Sequence, residues 1–297
     1  MWAAVGGGTK TRAGSKIKES TPPGYTRHAS HAGSWYTDDA EDLGEEIEAW
    51  LAASGVTPDA AVRAVIAPRR IFLLGPSHHH YTRKCVLPRA TSFHTPVAPL
   101  PIDTQVISEL RATGEFEEMG RHVDEAEHSL EMHAPFLAHL CKDHNVLLVP
   151  IMVGSLDAAA EARYGGILSR YFSDSSNFFS ISSDFCHWGS RFRFTPYDKA
   201  HGPIHKAIEA MDREGMALIE TGKAKAFRDY IERTGNTVCG RHPIGLLLQM
   251  AELSPSPPSI RFVQYEQSSH CHSMRDSSVS YASAVVTLAP STRAPST

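Results

Sequence analysis

The chain has 297 residues, 41% of them hydrophobic, with 29 Lys and Arg against 33 Asp and Glu, a formal charge of −4. A chain of this size buries about three quarters of its unfolded surface, and the mild acidity argues against a nucleic-acid module, which carries a basic excess. No apolar run reaches the roughly 18 residues of a membrane helix, so no membrane insertion is expected. Residues 1–26 are rich in Gly, Thr, Lys and Pro and predict a disordered tail, or alternatively an acid-free organelle transit peptide. The hydrophobic pattern then predicts a helix over 38–53, strands over 62–67 and 71–74, and helices over 105–113 and 129–143. A strand over 146–153, a helix over 158–171 and a strand over 177–182 follow. Helices over 201–214, 224–233 and 243–253 come next, and a Pro/Ser loop at 254–259 leads into strands over 260–265 and 279–288. Residues 289–297 read as a second tail. This alternation predicts one α/β domain over 27–288, with a central, mostly parallel or mixed sheet and helices on both faces. The five cysteines form no CxxC pair. A disulfide framework and a zinc ribbon are therefore not expected, and a reducing, cytoplasmic compartment is.

Seventeen histidines point towards metal or acid–base chemistry. In open α/β sheets ligands bind beyond the carboxyl ends of the strands, so reactive residues that directly follow strands are the candidates. The strand at 71–74 runs into Gly75-Pro76-Ser77 and then His78-His79-His80, imidazoles suited to iron, copper or zinc. A solvated His-rich loop is the bland alternative. The strand at 177–182 leads to Asp184 and His187, three residues apart, a carboxylate placed to orient an imidazole for proton transfer. Local turn capping by Asp184 would explain the same spacing. Cys239 precedes a helix and neighbours Arg241 and His242, a setting that favours thiolate, whereas most such cysteines are inert. In the segment 127–133, Glu127 and Glu131 share one helical face and Leu130 and His133 another, either as a metal-binding helix or as a helix start capped by Ser129. Trp35 and Tyr36 precede the first helix, as packing residues or as the lip of a pocket. Arg191 and Arg193 would suit a carboxylate or phosphate.

These segments together resemble the Memo family (mediator of ErbB-driven cell motility). The resemblance is carried by Ala29-Ser30-His31-Ala32-Gly33-Ser34-Trp35-Tyr36, Leu74-Gly75-Pro76-Ser77-His78-His79 and Glu127-His128-Ser129-Leu130-Glu131-Met132-His133. It continues through Ser182-Ser183-Asp184-Phe185-Cys186-His187-Trp188-Gly189, Cys239-Gly240-Arg241-His242-Pro243 and Asp276-Ser277-Ser278-Val279-Ser280-Tyr281. It implies a fold related to the LigB-like class III extradiol dioxygenases. It also implies cytoplasmic signalling to the cytoskeleton through a vestigial pocket that binds phosphotyrosine peptides, with iron or copper as the metal. By the same resemblance His78 and Cys239 would be metal ligands, Asp184 and His187 a candidate catalytic pair, and Trp35, Arg191 and Arg193 the peptide-binding residues. The chain departs from the family after Pro68: Arg69-Arg70 follow at once, where the family continues with a ligand histidine, a helix and the next strand. About two dozen residues are absent, and two residues cannot supply the crossover of a dozen or more that parallel neighbours need. A strand over 62–67 would then lose its place in the sheet, as in an impaired splice or gene-model variant. With the family's first ligand gone, His79, His80 and His31 are the imidazoles that would stand in, and weakened metal binding is expected.

Overall fold

The computed structural model describes residues 24–53 and 69–288. The first described elements are β1 (Tyr25–Arg27), α1 (Ala40–Ala53), β2 (Arg70–Pro76), β3 (Cys85–Pro88), β4 (Ala90–Phe93), β5 (Leu100–Pro101) and α2 (Thr104–Ala112). They are followed by β6 (Glu117–Met119), α3 (Arg121–Ala126), α4 (Ala134–Cys141), β7 (Leu147–Val153), α5 (Ala158–Phe172), β8 (Asn177–Ile181) and β9 (His187–Trp188). Helices α6 (Ile204–Glu220), α7 (Ala224–Thr234) and α8 (Arg241–Leu253) precede β10 (Ser259–Gln267) and β11 (Ser278–Thr287). The architecture is mixed α/β, as the alternation predicts.

The central sheet has the order β6-β3-β7-β2-β8. Strand β2 runs parallel to β7 and β8, while β3 is antiparallel to β7 and carries β6 in parallel, so the sheet is mixed. In β2 and β7 every residue after the first is buried. A continuous apolar run buried on both faces is the signature of a strand covered by layers above and below. The helices that cover it start where the sequence caps them. Asp103 accepts from the Val106 N–H at the start of α2, and Asp157 from the Ala160 N–H at the start of α5. Helix α8 buries eight residues, Pro243 to Leu248 with Met250 and Ala251, and packs on α5 and β2.

Three expectations need correction. The strand β1 begins inside the span read as a tail, because Arg27 is buried and Tyr25 bonds Asp124, long-range partners that local composition does not reveal. The helix expected over 129–143 is broken: a 3-10 turn at Glu131–His133 precedes α4, with Pro135 in the helix's first turn, a position proline favours. Strands β10 and β11 form an antiparallel hairpin extended by β9, outside the central sheet. The connection 268–277 is shorter than the dozen or so residues a parallel crossover requires.

The strand expected over 62–67 lies outside the described residues. Strand β8 pairs only with β2 among the described residues. Beside it an apolar cavity of about 320 Å³ is lined by Phe178, Phe179, Ile244, Leu247, Phe262 and Val285. No described helix is long and apolar enough to cross a membrane.

Candidate metal centre

The site starts at the carboxyl end of β2. Gly75 is required there: a Cβ would lie 2.5 Å from Ser129 Oγ and 3.0 Å from the Leu130 side chain. That close approach lets Ser129 Oγ donate to the Pro76 carbonyl at 2.9 Å, so Ser129 ties its segment to the strand instead of capping a helix. It also brings the Glu127 carboxylate, 1% exposed, against the turn that carries His78. One carboxylate oxygen accepts the His78 backbone N–H at 2.6 Å; the other meets His78 Nδ1 at 2.9 Å and accepts the Ser129 N–H at 2.9 Å. The orientation of the His78 ring is thus set by a buried acid. Burial alone would raise the Glu127 carboxyl, but these hydrogen bonds hold it down at about 2. Burial alone would lower the His78 imidazole, but hydrogen bonds to Cys239 and Glu127 lift it to about 10. Glu127 and His78 are therefore an ion pair at neutral pH. With Nδ1 on Glu127, Nε2 is left for Cys239.

Cys239 stands just before α8, and the chain reaches it through a second close approach. A Cβ on Gly240 would lie 2.3 Å from Ser183 Cβ and 2.6 Å from the Ser182 carbonyl. The Gly240 N–H donates to Ser183 Oγ at 3.0 Å, and Cys239 Sγ accepts the Asp184 N–H at 3.1 Å. Asp184 and His187 complete this side: Asp184 Oδ2 lies 3.7 Å from His187 Nε2. His187 Nδ1 faces two carbonyls, Phe185 at 3.0 Å and Thr237 at 3.1 Å, so Nδ1 carries the proton and Nε2 presents its lone pair to Asp184. Burial pushes the Asp184 carboxyl up despite the opposing pull of His187 and His78.

On the Glu127 side, His128 stacks on His78 with ring centroids 4.3 Å apart. Trp35, 57% exposed, lies over His128 at 4.7 Å and meets His31 edge-on at 5.3 Å. The loop bearing Trp35 is held by Glu131, which accepts from the His31 N–H at 2.8 Å and the Tyr36 hydroxyl at 3.0 Å and meets His31 Nδ1 at 2.9 Å. Glu131 is in turn paired with Arg27 at 2.7 Å, and Arg27 with Asp124 at 3.1 Å, all three fully buried. Arg27 also donates to the Glu127 carbonyl at 2.7 Å. A buried arginine thus joins β1, the Trp35 loop and the segment bearing Glu127. Among the described residues, one trio of side chains brings potential metal-ligating atoms within 4.8 Å of one another: His78, Glu127 and His128.

The structure therefore brings His78, Cys239, Asp184 and His187 into one cluster, with Trp35 at its rim. Arg191 lies on the His187 side, its guanidinium over the Phe192 ring at 4.4 Å, and that ring contacts His187 at 5.2 Å. Arg193 is exposed, in a left-handed conformation that closes the turn after Phe192. Of the imidazoles expected to stand in for the missing ligand, His31 is committed to Glu131, while His79 and His80 lie on the turn beyond His78. Sequence reasoning missed the pairing of Glu127 with His78, the place of His128 and the whole Arg27 network. The adjacency of an acid and an imidazole in Glu127-His128 was a usable signal; nothing local marked Arg27.

The family described as Memo-like protein matches residues 67–285. The rat protein named Protein MEMO1 is 42% identical over 290 residues, covering 88% of this chain and 97% of its own. The zebrafish protein of the same name is 43% identical over 284 residues (86% and 95%), and the Caenorhabditis elegans memo-1 homolog is 40% identical over 294 residues (90% and 84%). With a match over most of its length and relatives of this similarity, the chain belongs to the Memo family.

Proposed function

We propose that this chain is a cytoplasmic metal-binding signalling protein of the Memo type, linked to cell motility and the cytoskeleton. In this reading its pocket is a vestigial dioxygenase-like site that holds iron or copper and takes phosphotyrosine peptides at its rim. The observation that supports it most is the placing of His78 between a buried carboxylate and a thiol, with the Asp184–His187 pair alongside. The donor set fits a first-row transition metal: imidazole and carboxylate suit iron, and thiolate adds affinity for copper. A bound metal would supply Lewis acidity or a redox couple. The residues themselves orient His78, exclude water on the Glu127 side and set the Asp184 carboxyl 3.7 Å from the His187 imidazole. Trp35 by His128 and Arg191 by the ring that contacts His187, an exposed aromatic and a cation, suit a phosphorylated aromatic side chain.

The Asp184–His187 pair favours a second reading, an active metal-dependent redox enzyme, because it provides a base beside the metal position. The deciding measurement is the metal content of the purified chain by mass spectrometry. We expect substoichiometric iron or copper, falling to background in His78→Ala. An unchanged metal content in that variant would overturn the reading. Catechol ring cleavage by the iron-loaded chain would promote the second.

A further inference from the structure

A second group of imidazoles stands at the start of α6 and on the connection between β10 and β11, and shares no residue with the His78 pocket. His205, the second residue of α6, stacks on His270 with ring centroids 4.6 Å and planes 13° apart. It meets His272 edge-on at 5.2 Å. We propose that His205, His270 and His272 form a separate three-histidine site for a divalent transition cation of the Zn(II) or Cu(II) class.

The backbone holds the three rings together. Cys271 is fully buried in a cluster with Trp188, Ile204 and Ile208, while its neighbours His270 and His272 are exposed. The Cys271 carbonyl accepts the His205 N–H at 3.2 Å, and Gln267 Nε2 donates to the His205 carbonyl at 2.9 Å. Asp276 fixes the far end of the loop, accepting the His272 and Ser273 N–H groups at 2.8 Å each. Imidazole nitrogens bound at about 2.0–2.1 Å to one ion lie about 3–4 Å apart. The nitrogens of this trio are not gathered that closely, but the rings are already in contact. Turning the exposed His270 and His272 about their side-chain bonds brings them to one point.

Their lack of other partners points to an ion. His31, His78, His139 and His242 each face a carboxylate at 2.9 Å or less. Among the described residues none of the three rings here makes a hydrogen bond or an ion pair, and His205 Nδ1 is buried in that state. A buried polar atom without a partner calls for a water or an ion. Asp276, the acid of the same loop, is engaged by backbone N–H groups and the Ser273 hydroxyl. The donor set then selects the metal. Imidazoles without a carboxylate suit Zn(II), Cu(II) or Ni(II) above Mg(II) or Ca(II), and the absence of a thiolate disfavours Cu(I). Three ligands leave a fourth position for water.

The test is Zn(II) titrated by calorimetry into the full chain carrying His78→Ala, so that the pocket at β2 does not mask the second site. The proposal expects one saturable site in that background. In His205→Phe, which keeps a stacking ring and removes both nitrogens, affinity should fall by more than about tenfold, the loss that an outer-shell partner alone produces. His270→Gln with His272→Gln should abolish the site without moving the melting temperature, and decides the matter if His205→Phe fails to fold. Affinity unchanged in a folded His205→Phe reduces the site to a surface histidine pair and overturns the proposal. Binding that survives the double substitution overturns it too, as does no saturable Zn(II) binding in the His78→Ala background. None of these results bears on the His78 pocket.

Discussion

Two clusters of charged side chains share one short stretch of chain, residues 124–131, and differ in how completely they are paired. In the Arg27 cluster Asp124 and Glu131 are both ion-paired to the same guanidinium, and the remaining Arg27 donors go to backbone carbonyls, including those of His28 and Glu127. In the His78 cluster one carboxylate serves one imidazole. There the His128 ring makes no hydrogen bond among the described residues, and the His78 side chain is 28% accessible. Glutamates alone do not distinguish the two. Saturation does: a cluster with every donor and acceptor satisfied and no route to water is scaffold, and one left short of partners at a rim keeps capacity for a ligand.

The sharpest way to break that contrast is to open the closed cluster. Arg27→Met strands two buried carboxylates and should cost about 3–5 kcal/mol, the range for removing one partner of a buried pair. Urea denaturation measures it, and a cost near zero would show that the cluster is not scaffold. His133 tests the same stretch by pH. Burial lowers its imidazole to about 4 against an ordinary value of 6.5, so the unfolded chain takes up the proton first as pH falls. Stability is then complete above about pH 6.5 and declines towards pH 4, by at most about 3 kcal/mol from this group. Melting temperatures across that window should fall less steeply in His133→Asn than in the unsubstituted chain; parallel curves would refute the assignment. The smallest expected effect on stability belongs to Trp35→Ala, within about 0.5 kcal/mol for an exposed side chain. The same substitution should weaken phosphotyrosine-peptide binding, and equal affinity by calorimetry would remove Trp35 from the rim.

The α/β class and most helices and long strands were legible because their causes are local. A run such as residues 71–74 has only one comfortable environment, a strand covered on both faces. The Asp103 and Asp157 caps act within one helical turn, whereas the break before α4 was not read and an unbroken helix over 129–143 was expected. Short strands such as β3, β6 and β9 were not legible, since two to four residues carry no periodicity of their own and exist through the ladder they join. The candidate site divides in the same way. His78, Asp184, His187 and Cys239 were identified because each follows a strand end or precedes a helix, positions where side chains are presented.

What the amino-acid order determined by itself was therefore the family, the fold class and the loops that carry the candidate residues. It also raised, through the abrupt passage from Pro68 to Arg69, the expectation that a family ligand is missing. Only the tertiary structure decided which partners those loops acquire. Glu127 is 49 residues from His78, and Glu131 is 104 from Arg27. Contacts across such separations depend on close approaches at Gly75 and Gly240 and on low-dielectric burial. Neither is encoded in any local pattern, and both set which imidazole carries a proton and which is left with a lone pair to offer.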